Sequence, residues 1–571
     1  MPADERDHPV SRANRLFAGL TVFAVAFASA FMTAGVGSAL LKVHFPCERT
    51  TPMRPPPWHP PVDPSAAEQT ILRLIKRAKL FVFLRQHRHE LFDDAFQAEL
   101  ATIYKDSPFG QEPTPPAQLA LATILQAYTG VSDDEAIEAT VMDRRWQLVL
   151  DCLDAEHAPF SKGTLVTFRE RLIAHDLDRR LIERTVDLAA ATKAVGSRQL
   201  RAALDSSPLW GAGRVEDTYN LLGHALRKAL GVIARQQGRG LTDLAAEVQA
   251  PLLAGTQSLK AALDCNWDDP AERTAALGQV LATLGAVETW LDQQGPIPDD
   301  AQAALAVAIT VRAQDVETLP ENMIQLRHGV AKDRRISVED GEMRHGRKSR
   351  SHLFDGYKRH VLRDLDSGLV RAVGMTPANV PEASVTDDLL ADLAAQKTEL
   401  REIHLDRGYL ASTLIRDRSD DLAIYCKAWP VRNADRYPKT AFVLDWEAGS
   451  IRCPNEVVIP FHPGATVHFP EETCQVCPLR ERCTTSVHGR SVHIHPDERL
   501  LAELRQRQLT PHGRAKLRER VGVEHALAHI GRWQGPRARY RGTRKNLFDL
   551  RRCAVVHNLH AIQRMPTAQV A

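Results

Sequence analysis

The stretch Leu200-Arg201-Ala202-Ala203-Leu204-Asp205-Ser206-Ser207-Pro208 decides how the rest of the chain is read. Its apolar first half has the length of a short strand, and Asp-Ser-Ser-Pro closes it with turn chemistry. Further on, Tyr357 to Arg363 and Leu369 to Met375 are extended runs joined by Asp366-Ser367-Gly368, a hairpin signal. Ala383 to Ala395 reads as an amphipathic helix, and Glu402 to Leu405 as a strand that ends in Asp406-Arg407-Gly408-Tyr409. Leu422 to Cys426 is a second short strand, and Lys516 to Gly531 a helix with Val521 and Leu527 inward. Strand, hairpin, helix, strand, strand, helix predicts an α/β fold, a mixed sheet flanked by helices.

Around this frame the texture changes. Leu221 to Gln325, rich in Ala, Leu and Gln, predicts a helical insertion without internal repeats. Residues 66–195 predict an all-α domain: Ile71, Leu72, Leu74, Ile75, Leu80 and Leu84 recur at helical spacing. Pro113, Pro115 and Pro116 mark the entry to another helix, and Ser132-Asp133-Asp134-Glu135 offers an N-cap with an acidic first turn. Thr164 to Leu172 reads as a helix with Phe168, Arg169 and Arg171 projecting. A small DNA-binding module and a plain helical scaffold both suit this region, because it carries no sharp helix-turn-helix signature. The α/β part then spans 196–565, with insertions at 221–325 and, around clustered cysteines, at 450–490.

Bulk composition bounds the function less tightly. A chain of 571 residues with 44% hydrophobic and 25% charged residues is an ordinary globular protein of several domains. Its net charge of +2 hides two basic blocks. Arg514 to Arg552 holds twelve Lys or Arg against three acids, and Arg344 to Arg363 seven against one. Such blocks point to a polyanionic partner, or are solvated faces. Of nine cysteines, Cys453, Cys474, Cys477 and Cys483 cluster, which suits a metal site in a reducing, cytoplasmic compartment better than disulfides. Leu16 to Leu41 has no charged residue and would allow a membrane span or a signal peptide, with Ala28-Ser29-Ala30 resembling a cleavage site. The stretch is rich in Ala, Gly, Ser and Thr, so insertion would be weakly driven. Thr51 to Pro64 is proline-rich and reads as an unstructured linker, making residues 1–65 an appendage to the fold.

Three acids occupy telling places. Asp205 and Asp406 end strands and Glu524 lies on the late helix, so all three can converge at one sheet edge. Carboxylates so placed suit two Mg²⁺ (or Mn²⁺) ions, one preparing an attacking hydroxyl and the other stabilising the leaving oxygen at phosphorus. Singly, Asp205 reads equally well as a turn residue and Glu524 as a solvated helix residue.

Leu204 to Arg214 (Leu-Asp-Ser-Ser-Pro-Leu-Trp-Gly-Ala-Gly-Arg), Leu405 to Tyr409 (Leu-Asp-Arg-Gly-Tyr) and Arg520-x-x-x-Glu524-His525 resemble the three acidic motifs of bacterial insertion-sequence DDE transposases. Phe354-Asp355-Gly356-Tyr357-Lys358, Thr376-Pro377-Ala378-Asn379-Val380, Tyr540-Arg541-Gly542 and Asn558-Leu559 resemble their hairpin region and C-terminal end. The resemblance runs from about Leu72 to Ile562. It implies an RNase H-like catalytic fold, divalent metal on Asp205, Asp406 and Glu524, element-end and target DNA as partners, and a homo-oligomer on the DNA rather than a membrane protein. One departure concerns the last helix, where many members carry Tyr, Arg, Glu and Lys. Arg520 and Glu524 fit, but the Tyr position is Leu517 and the Lys position Gly531, with Arg532 next to it as the candidate phosphate grip.

The segment 532–545 holds six cations and no acid, with Trp533 and Tyr540 interleaved. Arg532, Arg537, Arg539, Arg541, Arg544 and Lys545 would neutralise phosphates and Trp533 would stack on a base; the alternative is a surface loop with a half-buried Trp. Cys453 with Cys474-x-x-Cys477 and Cys483 suits a closed tetrahedral Zn²⁺ site, with His462, His468 and His488 as alternative ligands and free thiols as the bland reading. Competing functions are a metal-dependent nuclease on the same fold, a catalytically inactive zinc-containing DNA-binding protein, and a membrane-anchored protein resting wholly on residues 16–41.

Overall fold

The computed structural model describes residues 54–106, 112–193, 199–320, 323–349 and 351–566. Leu16 to Leu41 and Cys47 lie outside them, and among the described residues no helix is long and apolar enough to cross a membrane. The linker reading of Thr51 to Pro64 is corrected from residue 54 onward. Trp58 exchanges backbone hydrogen bonds with the Gln97 side chain at 2.6 and 3.1 Å and lies under the Arg88 guanidinium, 5.4 Å from its ring centre. Arg88 donates to the carbonyl of Pro61 at 3.3 Å and Arg85 to that of Val62 at 3.0 Å. Both guanidiniums are almost wholly buried, so their donors must find acceptors inside the protein. Extended proline-rich backbone leaves its carbonyls free to serve. Described residues 54–65 accordingly belong to the same compact unit as the helices that follow.

The N-terminal part is helical, from Ala66–Leu74 to Arg180–Lys193. Ser65 with Glu68 and Ser132 with Glu135 form full capping boxes. The helix Lys162–Ala174 includes Thr164 to Leu172, but Phe168 and Arg169 do not project. Phe168 is in the core, and Arg169 makes a bidentate pair with Asp133 at 2.5 and 2.6 Å. The acidic first turn foreseen for its dipole also satisfies a buried cation.

The main sheet has six strands: β1 (Gln199–Trp210), β2 (Arg344–Arg347), β3 (Leu353–Asp364), β4 (Val370–Pro377), β5 (Glu399–Leu405) and β6 (Ala423–Tyr425). Central β1 runs antiparallel to β3 on one side and parallel to β5 on the other. β3 carries β4 and β2 on its far edge, and β6 continues parallel beyond β5. The fold is therefore mixed α/β, with a mixed sheet. β1 does not end at Leu204 as its sequence suggests. Its parallel ladder with β5 stops at Leu204–Leu405, while its antiparallel ladder with β3 continues to Trp210. Pro208, which cannot donate, is tolerated because that edge of β1 is no longer paired.

Between β1 and β2 the helices Thr218–Gln236, Pro270–Asp292 and Asp299–Asp315, with shorter ones, enclose their own apolar core. One face of the sheet packs Leu204, Leu362, Ile403 and Leu405 against the helices Thr386–Ala395 and Glu498–Arg507. The other packs Ala203, Val361 and Val373 against the N-terminal helices and the last helix, Thr543–Arg564. Asn558 on that helix caps the free edge of β4: it accepts from Val370 N–H at 2.7 Å and donates to Val370 O at 2.9 Å and Thr185 at 2.8 Å.

A chain beginning at residue 54 keeps every contact described above. One beginning at residue 66 loses the Ser65 cap and strands the buried donors of Arg85 and Arg88, and is expected to be less stable by at least about 2 kcal/mol. Equal denaturant midpoints for the two truncations would refute this placement.

Candidate active site

Strand register brings the two aspartates together. Leu204 and Leu405 are paired in the parallel ladder, so Asp205 and Asp406 follow side by side where that ladder opens. Each turns a carboxylate oxygen to the next backbone N–H, Ser206 and Arg407 respectively, at 2.8 Å. The late helix is two helices, Pro511–Glu519 and Val521–Gln534, meeting at Arg520. Glu524 stands in the first turn of the second, exposed toward the aspartates. Arg520 links the set, donating to Asp205 at 2.6 Å and to Glu524 at 2.9 Å.

All three acids line one open cavity of about 800 Å³, whose lining also includes Arg347, Lys348, Lys358, Arg359 and Arg532. Burial pushes the Asp205 carboxyl above the usual range; Arg520 opposes this, and Asp406 and Glu524 add to it. Asp205 is half-buried and Asp406 and Glu524 are exposed, with the Arg520 guanidinium between Asp205 and Glu524; their oxygens do not all come within 4.8 Å of one another, and hard donors of this kind fit divalent cations once drawn together. A fourth acid, Glu382, lines the same cavity and accepts from the Ser206 hydroxyl. Its carboxylate lies over Gly408, where a side chain would have to displace it. Nothing around Glu382 in the sequence signals it, because it arrives from a turn after the β4 strand.

Behind the aspartates, Tyr409 is fully buried and hydrogen-bonded to His360 at 2.8 Å; His360 also meets Thr376 at 2.9 Å. Burial draws the His360 pKa down to about 3, so the ring is a neutral bridge between β3, β4 and the Asp406 turn.

A second cluster anchors the helix pair. The ligand atoms of Glu402, His404 and Glu519 lie within 4.8 Å of one another. Arg201 and Lys516 already neutralise it, reaching Glu402 at 2.9 and 3.0 Å. Burial opposes ionisation of Glu402, but hydrogen bonds from His404, Arg201 and Lys516 outweigh it and bring its pKa to about 2. This cluster ties β1, β5 and the Pro511–Glu519 helix together one turn before Arg520.

The basic segment 532–545 is not a free tail. Its backbone pairs with the open edge of β1, Pro536 O accepting from Trp210 N–H at 2.9 Å and Trp210 O accepting from Ala538 N–H at 2.6 Å. Arg539 donates to Gly130 O at 3.0 Å, Arg541 pairs with Glu339 at 2.6 Å, and Arg544 reaches the fully buried Asp178 at 2.9 Å. Trp533 packs against the main core and stacks on His560 at 5.4 Å with 6° between ring planes. Trp533 and Arg544 are half-buried with partners inside the protein, which favours the surface-loop alternative for these two, whereas Arg539 and Arg541 are exposed side chains with a protein partner each. Arg532, Arg537, Arg539, Arg541 and Lys545 are all exposed, and of these Arg532 lines the cavity. The helix position that lacks Lys, Gly531, lies against Arg359, whose guanidinium comes within 3.2 Å of an ideal Cβ there. Arg359 is held by Ser207 at 2.7 Å and by Gln534 and Gly535, each at 3.1 Å. β3 thus places a buried cation beside the helix position that carries Gly531.

Cys453, Cys474, Cys477 and Cys483 line a second, small cavity away from these acids, and the eight described cysteines are all free.

A family model for a transposase DDE domain matches residues 462–563, which include Glu524 and the clustered Cys474, Cys477 and Cys483 but neither aspartate. A model for a transposase domain matches residues 73–171 in the N-terminal helices. No curated protein and no solved structure matches the chain.

Trp533→Ala is expected to lower the melting temperature, with a loss of roughly 3 kcal/mol, and to leave DNA affinity per folded molecule unchanged. Arg544→Ala, which leaves the buried Asp178 with Arg551 as its remaining cation, should cost about 1–3 kcal/mol. A selective loss of DNA affinity at unchanged melting temperature in either variant would restore the contact reading.

Proposed function

We propose that this chain, an insertion-sequence DDE transposase as both family matches support, cuts and joins DNA at the cavity that holds Asp205, Asp406 and Glu524. The observation that carries the reading is the β1–β5 register that sets the two aspartates side by side, with Glu524 brought to them through Arg520. The sheet order, an antiparallel hairpin beside a central strand followed by two parallel strands, supports an RNase H-like assignment.

Asp205, Asp406 and Glu524 would hold two Mg²⁺ or Mn²⁺ ions, which when bound activate an attacking hydroxyl and stabilise the leaving oxygen of an in-line displacement at phosphorus. The chain's own part is to position the DNA. Arg347, Lys348 and Arg532 are exposed on the cavity and have no side-chain hydrogen bond or ion pair among the described residues, so their charge is available to phosphates. Arg359, fixed by Ser207, Gln534 and Gly535, presents a preset guanidinium deeper in. Arg520 neutralises Asp205 and Glu524 and is the group that must yield when the carboxylates take a new cation.

Asp205→Asn, Asp406→Asn and Glu524→Gln are each expected to lower Mg²⁺-dependent cleavage about a thousandfold while DNA binding persists. Retained cleavage in any one removes that residue from the site. A strand-transfer assay with a cut end and a target duplex separates a transposase from a nuclease, which would cut without joining.

The basic wall has its own test. Arg347→Ala with Lys348→Ala should weaken binding to all duplex sequences alike and flatten the plot of log affinity against log salt by up to about two units, at about 0.9 per phosphate contact. An unchanged slope would leave this wall as solvated surface.

A further inference from the structure

The segment around the clustered cysteines is built on little else. Its strands Val443–Asp445, Ser450–Arg452 and Val458–Pro460 form one sheet, and Thr466–His468 with Ser491–His493 form another. Each strand has three residues, too short for either sheet to persist alone. The apolar core between them is small, centred on Phe442, Ile451, Phe461 and Phe469, and distinct from the cores of the main sheet.

The four cysteines come from both halves of this unit. Cys453 follows the Ser450–Arg452 strand in a turn closed by its N–H on Val457 O at 2.9 Å. Cys474, Cys477 and Cys483 lie on the excursion between Thr466–His468 and Ser491–His493, in and beside the one-turn helices Glu471–Gln475 and Arg480–Cys483. Cys477 N–H turns back to Cys474 O at 3.4 Å and Arg480 N–H to Cys477 O at 3.1 Å, which folds the CxxC into a knuckle. All four thiols line one cavity of about 30 Å³. That volume holds a single ion or water and no organic ligand. His462, His468 and His488, the alternative ligands, do not line it.

Arg490 lines the cavity too, and its Nε is buried without a hydrogen-bond partner while the guanidinium reaches Cys483 O at 3.3 Å. An unpartnered guanidinium N–H beside four thiols is where thiolate sulfurs would accept, as the outer partners of metal ligands do. The sulfurs surround the cavity without reaching the 4.8 Å mutual spacing of the Glu402 cluster. All four cysteines are half-buried, so rotation about their Cα–Cβ bonds can bring the sulfurs inward.

We propose that Cys453, Cys474, Cys477 and Cys483 bind one Zn²⁺ as a closed four-thiolate structural site that ties the two small sheets together. Four soft ligands exclude the hard ions suited to Asp205, Asp406 and Glu524, so this site is independent of the chemistry at the main cavity. Binding releases the thiol protons and adds its free energy to the folding of a unit whose apolar core is small.

The test is metal content of the full chain, expressed without added chelator and analysed by plasma mass spectrometry. One zinc per chain is expected, unchanged in Cys265→Ser and lost in Cys477→Ser. No zinc, or zinc retained in Cys477→Ser, overturns the proposal. Should Cys477→Ser fail to fold, the wild-type chain produced with Co²⁺ in place of Zn²⁺ decides the matter. A thiolate-to-cobalt charge-transfer band with tetrahedral d–d absorption is expected. A spectrum without that band, as the oxygen and nitrogen ligands of Glu402, His404 and Glu519 would give, overturns it. Neither readout depends on DNA cleavage, so failure here leaves the reading of the main cavity untouched.

Discussion

Everything at the main cavity depends on β1 having two different neighbours. Its antiparallel ladder with β3 runs on to Trp210, while its parallel ladder with β5 closes at Leu204 and Leu405. Where the second ladder stops, two chains diverge with an aspartate at each first unpaired position. A slip of one residue in either ladder would turn an aspartate to the opposite face and bury its charge in the apolar layer around Ile403 and Leu405. The register is therefore held by hydrophobic burial on both faces of the sheet, and the juxtaposition of Asp205 with Asp406 follows from it.

The third acid needs a different device. Glu524 is an exposed residue on a helix, and helix packing alone would leave its direction loose. The ionic cluster of Arg201, Glu402, Lys516 and Glu519 pins the preceding helix to β1 and β5, and Arg520 then spans Asp205 and Glu524. Other cations of the chain are used in the same way. Arg85, Arg88, Arg169, Arg544 and Arg552 are internal fasteners, buried or half-buried with carboxylates or carbonyls as partners. The cations left free at the cavity, Arg347, Lys348 and Arg532, are ones that a charge count does not distinguish.

The gap between sequence and structure has the same origin. Short-range patterns carried over well. The Asp366-Ser367-Gly368 turn joins β3 to β4, the Ser132 cap starts its helix, and the insertion is helical with a core of its own. These depend on turn chemistry, capping and periodicity, which act over a few residues. The readings that changed depended on distant partners. Proline-rich residues after Arg54 looked free until Arg85 and Arg88 claimed their carbonyls. Trp533, read as a base-stacking ring, stacks on His560, and Arg544, read as a phosphate contact, reaches the buried Asp178.

While β1 running past Asp205 to Trp210 came with the structure, the sequence by itself determined the order of the sheet's central strands and hairpin, the helical insertion, the placement of Asp406 at a strand end and of Glu524 on a helix, and the spacing of the four clustered cysteines. These are local patterns that a chain carries before it folds. Only the tertiary structure decided that Glu382 and Arg359 join the same cavity, that Cys453 meets the CxxC knuckle across two sheets, and which basic side chains are spent inside the protein. Those outcomes turn on which long-range partner satisfies each buried charge or hydrogen-bonding group, and the cost of leaving such a group unsatisfied acts only once the chain has closed on itself.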